Sequence, residues 1–174
     1  MKELYDTLSR QFELTDYQST RGNQAFFTAN SNQLVSLLTH LRDIQGYTHL
    51  VMVTCVDWLE DAKLQITYLL HNYNTKTNLG VFVFTPRSNP SMDSIHHLWE
   101  QARVYQRELH EMFGIDFPGS PGVYDPMILE GWQGPPPMLR DFDTKAYCEN
   151  TYSNRERQHR EPEQYMKEKL YPED

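Results

Sequence analysis

The chain has 174 residues, 39% of them apolar and 13% aromatic, which is enough for one domain with a modest core. Its net charge of −8 disfavours binding to nucleic acid or to an anionic membrane, because phosphates are repelled. Cys55 and Cys148 lie far apart, and no apolar run resembles a membrane span or a signal peptide. We therefore expect a protein of the cytosol, without a disulfide framework, a zinc site or an iron–sulfur cluster of its own.

The first third of the chain predicts two helices and one strand. Leu4, Leu8 and Phe12 recur at four-residue steps and indicate a short amphipathic helix over residues 2–13. Residues 24–29 resemble a strand. A second helix is predicted over residues 34–44, where leucines recur with the helical period.

Three segments rich in β-branched and aromatic residues follow and predict strands. They span residues 47–58, 64–71 and 79–85. In the second segment apolar residues occupy every other position, which is typical of an antiparallel sheet with one covered face. The predicted fold is therefore α+β, a mainly antiparallel sheet with helices packed on one face.

The last helix and the C-terminal region differ sharply in composition. Residues 91–113 are predicted to be helical, in one or two pieces, and Gly114 can close this helix in a left-handed conformation. Six of the ten prolines lie between Pro118 and Pro137, so regular structure is nearly excluded there. We expect a globular domain over residues 1–118 and an extended, proline-rich and charged tail over residues 119–174. This tail, with one candidate helix at 162–170, is predicted to wrap a partner subunit.

Most candidate chemistry is weak. His96 and His97 are adjacent, so on a helix they point about 100 degrees apart and do not suit a zinc site. Cys55 is expected to be a buried hydrophobe, and the acids around Asp57 are expected to form a solvated turn. Nucleophile and phosphate-binding motifs are missing. No catalytic, cofactor or metal residue is predicted in this chain.

Arg107 leaves two interpretations open. It can form a weak ion pair with Glu111, four residues further along the helix. Alternatively, its guanidinium group can bind a partner carboxylate or backbone carbonyls in an interface.

An ordered series of motifs resembles the signature of the respiratory complex I 30 kDa subunit family, the C subunits of NADH-quinone oxidoreductases. The resemblance covers about residues 47–143. In chain order, the motifs are Arg107-Glu108, Met112-Phe113-Gly114-Ile115, Phe117, Gly119, Trp132-x-Gly134-Pro135 and Leu139-Arg140-Asp141-Phe142.

The sequence also departs from that signature. Typical bacterial members have Glu where this chain has Gln106, and Gly-His-Pro followed by an arginine pair where it has Gly119-Ser120-Pro121. Cationic contacts of the family are therefore missing here.

The resemblance implies a cofactor-free structural subunit in the peripheral arm of a complex I-like NADH (or other donor):quinone oxidoreductase coupled to ion translocation. The partners would be the quinone-site D-type subunit (49 kDa type) and the iron–sulfur subunits of the B and I types, which carry the clusters and the quinone. The complex would sit on the cytoplasmic side of the cell membrane, and the isolated chain would have no catalytic activity. The implied interface residues are Arg107, Glu108, Phe113, Gly114, Trp132, Leu139, Arg140 and Asp141.

Three alternatives stay open at this level. The chain could be the equivalent subunit of a deazaflavin- or ferredoxin-dependent complex, or of a group 4 membrane-bound hydrogenase. It could also be an assembly factor. A small autonomous enzyme would have to use Arg107, Glu108 and His110 as its polar site.

Overall fold

The computed structural model describes residues 1–151, which form a five-stranded sheet accompanied by four α-helices. The α-helices are α1 (Lys2–Leu8), α2 (Leu34–Asp43), α3 (Ala102–Phe113) and α4 (Thr144–Thr151), and the strands are β1 (Leu14–Arg21), β2 (Gln24–Ala29), β3 (His49–Trp58), β4 (Lys63–Asn72) and β5 (Thr77–Pro86).

The strand order is β1-β2-β5-β4-β3. Every neighbouring pair is antiparallel except β2 and β5, which run parallel. A parallel pair needs a long connection, and here α2, β3 and β4 supply it. The predicted α+β class with a mainly antiparallel sheet is confirmed.

Strand β1 had no counterpart in the sequence prediction. It lies at the sheet edge, and its residues are exposed apart from the half-buried Leu14 and Tyr17. Its pairing with β2 contains register shifts, and Asp16 has a positive φ of 54°. Without an alternating buried face, the sequence carries no strand pattern at this position.

The covered face of the sheet holds the core. Alternate residues of β4 from Leu64 to Leu70 are fully buried, as the sequence pattern predicts. The apolar stripe of α2, from Leu34 to Leu41, is buried with them. Each such side chain contributes about 1.5–3 kcal/mol of hydrophobic free energy.

Helix α3 is shorter than the predicted helix over residues 91–113. Residues 91–101 form turns instead, and there the Trp99 indole N–H donates to the Thr48 carbonyl at 2.8 Å. Tyr105 of α3 donates its hydroxyl to the Val51 carbonyl at 2.9 Å. These bonds cap carbonyl groups at or beside β3, which is an edge strand of the described sheet.

The described chain divides after Phe142, into a unit over Met1–Phe142 and a second unit that begins at Asp143. Residues 119–142, assigned to the tail by the sequence pattern, therefore belong to the first unit. The second unit begins with α4, where the Ala146 N–H donates to Asp143 Oδ1 at 2.9 Å. The candidate helix at 162–170 lies outside the described residues. Wrapping of the tail around a partner stays a prediction.

Helices long and apolar enough to span a bilayer are absent from residues 1–151.

Candidate partner interface

Residues 118–142, which we call the strap, run as irregular chain past α3 to the end of the sheet. Proline at six positions of residues 118–137 removes N–H donors, so regular helix or strand cannot form. Short turns replace them, for example the bond from the Trp132 N–H to the Leu129 carbonyl at 2.9 Å. Hydrogen bonds to polar side chains of the domain hold the rest of the strap in place.

Arg107 binds the strap through main-chain carbonyls. Its Nε donates to the Asp125 carbonyl at 2.7 Å, and its Nη2 donates to the next carbonyl, that of Pro126. The planar guanidinium group is suited to two adjacent acceptors. Of the interpretations left open by the sequence, the structure therefore shows binding to backbone carbonyls, and these belong to the same chain.

Glu111 lies one turn further along α3 and binds the next strap residues through their N–H groups. Its carboxylate accepts from Met127 at 2.8 Å, Ile128 at 3.0 Å and Leu129 at 3.2 Å. Burial raises the pKa of Glu111, but the three backbone donors outweigh it and hold the pKa below its ordinary value. Sequence reasoning missed this role, because irregular chain gives no sign of where its N–H groups point.

Gln106 joins two loops on the buried side of α3. Its side-chain oxygen accepts the hydroxyl of Ser94 and that of Ser120, each at 2.8 Å. Gln106 and Ser120 are both buried. The beginning of the strap is thus anchored to the turns that precede α3.

The far end of the strap is attached to the end of the sheet. The buried carboxylate of Asp57 accepts Arg87 Nε at 3.0 Å through one oxygen and the backbone N–H of Arg140 at 2.9 Å through the other. Arg87 also pairs with Asp141, and Arg140 pairs with Glu60 at 2.6 Å. The solvated turn expected around Asp57 is therefore wrong for this residue, which is buried because two donors compensate its charge.

The charged pairs at this end lower carboxylate pKa values. The hydrogen bond from Arg140 lowers the pKa of Glu60, and the hydrogen bond from Arg87 lowers that of Asp141. Arg140 and Asp141, both predicted as partner contacts, thus bind the domain that carries them.

Gly114, Phe113 and Leu139 hold the strap close to the end of α3. Gly114 has a positive φ of 74°, and a Cβ atom there would lie 2.9 Å from Pro136 Cγ. The Met138 N–H donates to the Met112 carbonyl at 3.0 Å. Phe113 and Leu139 are half-buried against the core. The predicted closing role of Gly114 agrees with this geometry.

The two remaining predicted residues lie nearer the surface. Glu108 is exposed on the outward side of α3. The Trp132 indole N–H donates to the Pro135 carbonyl at 3.0 Å, and its ring meets that of Phe142 edge-on at 5.8 Å.

The strap turns several large apolar side chains away from the domain. Ile128 is 66% exposed, and Met127 and Met138 are also exposed, whereas Tyr124 leans back on the domain and donates its hydroxyl to Asp116 Oδ1 at 2.8 Å. Beside them a groove of about 670 Å³ runs between α3 and the strap, lined by Val104 among others. Main-chain groups bind inward while Met127, Ile128 and Met138 are exposed, and exposed apolar side chains grouped in this way are typical of interaction surfaces.

Groups arranged to bind a metal ion are absent from residues 1–151. Burial, together with the charge of Asp57, raises the pKa of the Cys55 thiol to about 12. Cys55 is therefore unreactive near neutral pH.

Comparison with known proteins identifies the family. Residues 27–148 match the sequence model of the respiratory-chain NADH dehydrogenase 30 kDa subunit. The chain belongs to this family. The strap and α3 both fall within the matched region of the 30 kDa subunit model, so the resemblance drawn from the Arg107 to Asp141 motifs is confirmed.

Three relatives in the 30 kDa subunit family illustrate the match. The C subunit of NADH-quinone oxidoreductase from Moorella thermoacetica is 30% identical over 112 residues, 64% of this chain and 75% of the relative. Its counterpart from Citrifermentans bemidjiense is 29% identical over 143 residues, which cover 82% of this chain and 88% of the relative. In Pseudomonas fluorescens the matching protein is a C/D subunit of NADH-quinone oxidoreductase. It is 30% identical to this chain, and the match covers 23% of the relative.

A solved structure shows the same fold. A chain of the membrane-bound sulfane sulfur reductase, an archaeal respiratory membrane complex, superposes with a TM-score of 0.79 at 22% identity. The match covers 90% of this chain and 92% of that one.

Proposed function

We propose that this chain is a structural subunit of a quinone oxidoreductase complex of the complex I type, and that the strap is its main contact with a partner subunit. The observation that carries this proposal is the attachment of the strap. Arg107 and Glu111 bind its main chain, while Ile128 and Met138 face outward. A surface fixed before binding loses less conformational entropy when the partner docks.

In this proposal the subunit acts by positioning. Electron transfer depends on fixed distances between redox groups, so a rigid neighbour contributes to rate without supplying a reacting group. The clusters and the quinone would then be bound by partner subunits.

The quinone-site D-type subunit is the partner best supported. Relatives named as C/D subunits in Pseudomonas fluorescens and Aquifex aeolicus match this chain over 23% and 22% of their own lengths. A polypeptide that joins the C and D parts keeps both at equal number and close together. We extend this pairing to the present chain, with iron–sulfur subunits of the B and I types as further neighbours and a peripheral position on the cytoplasmic side of the membrane.

Co-purification tests the proposal. The tagged chain is expressed in its own host in place of the native copy, and the complex is isolated from membranes. Ile128→Asp should lower the recovered D-type subunit about tenfold, because a carboxylate would be buried in an apolar contact. The matched control is Ile44→Asp, at a similarly exposed isoleucine that follows α2.

Two results would contradict the proposal. Normal recovery with Ile128→Asp would exclude the strap as the main contact. Recovery of the wild-type chain at well below one copy per active complex would favour an assembly factor.

A further inference from the structure

The sheet has a second face, opposite the one covered by helices. Cross-strand neighbours share a face, and the pairs Met52 with Leu69 and Gln65 with Phe84 lie on the side away from the core. We call the outward side chains of β2 to β5 the open face. Its large apolar members include Phe26, Met52, Val56, Trp58, Phe82 and Phe84.

Ring contacts organise the aromatic part of the open face. The Phe26 ring lies flat over Gly80, since a Cβ atom on Gly80 would come within 2.1 Å of the Phe26 Cδ1 atom. The rings of Phe26 and Phe82 are stacked, with centroids 5.4 Å apart and planes 10° apart. Trp58 is held by a bond from its indole N–H to Gln65 Oε1 at 2.8 Å. Ring stacking and a hydrogen bond thus hold these three apolar side chains on the open face.

Four large apolar side chains of the open face are exposed to solvent, while Phe26 and Phe82 are half-buried. Met52 is 39% exposed, Val56 and Trp58 are each 44% exposed, and Phe84 is 38% exposed. Large exposed apolar side chains grouped on one face of a folded domain typically mark an interaction surface.

Charge indicates the kind of partner. The chain carries 24 acidic residues, yet Asp and Glu are missing from the outward positions of β2 to β5, all of which lie in the described part of the chain. The titratable groups there are Lys63, His49 and His71. Lys63 lies over the Phe84 ring, 5.8 Å from its centroid. A second copy of this face would offer Lys63 no carboxylate, whereas carboxylates on a different protein would complement its charge.

We propose that the open face is a second docking surface, which binds a partner protein presenting apolar side chains bordered by carboxylates. This surface is distinct from the strap, whose attachment at Asp57 lies on the covered side of the sheet. The open-face proposal therefore goes beyond the proposed function, and its failure would leave the proposed function standing.

Zero-length cross-linking with a carbodiimide tests the charge argument in the isolated native complex. This reagent joins an amine directly to a carboxylate, so Lys63 should become linked to an Asp or Glu of another subunit. Lys63→Arg keeps the charge and removes the reactive amine, and it should abolish the product. A link from Lys63 to a second copy, to residues 152–174 of its own chain, or to nothing would overturn the proposal.

A pair of substitutions tests the surface itself. Val56→Glu and Val56→Lys place side chains of similar length and opposite charge at one exposed position. Co-purification with the rest of the complex should fall about tenfold for Glu and less than about threefold for Lys, because only Glu faces like charge. Thermal unfolding of each purified variant shows whether a loss of co-purification comes from a loss of stability. Equal losses, or none, would contradict the proposal.

Oxidative footprinting separates the two surfaces. In the assembled complex, Met52 and Trp58 should be protected at least fivefold relative to the isolated chain. Met127 and Met138 report on the strap in the same experiment. Protection of the strap methionines alone would overturn the open-face proposal and leave the proposed function standing.

Discussion

The carboxylate of Asp57 accepts the backbone N–H of Arg140 at 2.9 Å, across 83 residues of sequence. This bond ties the end of the proline-rich segment to the end of β3. The same carboxylate accepts a hydrogen bond from Arg87, so one buried acid serves two donors. The strap is thereby part of the first unit, although its sequence has the composition of a tail.

Asp57→Ala should destabilise the isolated chain by about 2–3 kcal/mol, because the Arg87 side chain and the Arg140 N–H both lose a charged acceptor. Asp57→Asn keeps one acceptor oxygen and should destabilise the chain less than Asp57→Ala. Urea unfolding gives both values. The control is Asp61→Ala at an exposed turn position, expected within about 0.5 kcal/mol of wild type. A loss for Asp57→Ala no larger than this control would refute the attachment.

Glu111 should make strap attachment depend on pH. Its folded pKa is depressed, so its contribution is present above the unfolded pKa, near 4.5, and is lost as pH falls through the lower folded value. At pH 7, Glu111→Gln should therefore be about 1 kcal/mol less stable than wild type. The difference should shrink as the pH falls below the unfolded pKa and vanish once it is below the lower folded pKa of Glu111.

Urea unfolding between pH 3 and 7 measures this difference, and the rate of proteolysis within residues 118–142 reports the strap directly. Glu108→Gln, at an exposed position on the same helix, is the matched control for the loss of a carboxylate from α3. A stability difference for Glu111→Gln that does not change with pH would be inconsistent with the three N–H bonds.

Gly114→Ala should destabilise the chain more than Gly119→Ala. Both glycines have positive φ, so both substitutions cost about 1–2 kcal/mol of backbone strain. At residue 114 the new methyl group would also meet Pro136, whereas nothing lies within 4 Å of a Cβ at residue 119. We expect a further loss of about 1 kcal/mol from that overlap. Thermal unfolding of the two variants compares them, and equal losses would mean that the strap does not pack on Gly114.

Arg140→Ala should hardly change the melting temperature of the isolated chain. Among residues 1–151 its side chain forms an ion pair with the exposed Glu60 alone, and its backbone N–H, which binds Asp57, remains. We expect a larger loss of assembled complex than of thermal stability. Native electrophoresis of membranes and calorimetry of the purified chain measure the two quantities. Similar losses in both would count against a partner contact for this residue.

The sheet was largely predictable from the sequence, because strands such as β4 bury alternate residues and α2 buries one stripe. Strand β1 was not, since an edge strand with few buried residues has no periodic signal. The helix predicted over 91–113 was too long, because its apolar residues at 95 and 99 are buried in turns that carry a similar spacing.

The candidate interface shows a different limit of prediction from sequence. The motif residues Arg107 and Arg140 were identified, but their contacts within the chain were not. Hydrophobic periodicity reports which side of a regular element is buried, and it carries no information about the main-chain groups of irregular segments. The acceptors of Arg107 and the donors to Glu111 are all main-chain groups of this kind.

Arg107 and Glu111 hold residues 125–129 through atoms that nearly every amino acid possesses. Sequence change at these positions therefore has little effect on folding, and selection can adjust the outer contour to a new neighbour. A lineage could exchange the companion of this protein while retaining its architecture.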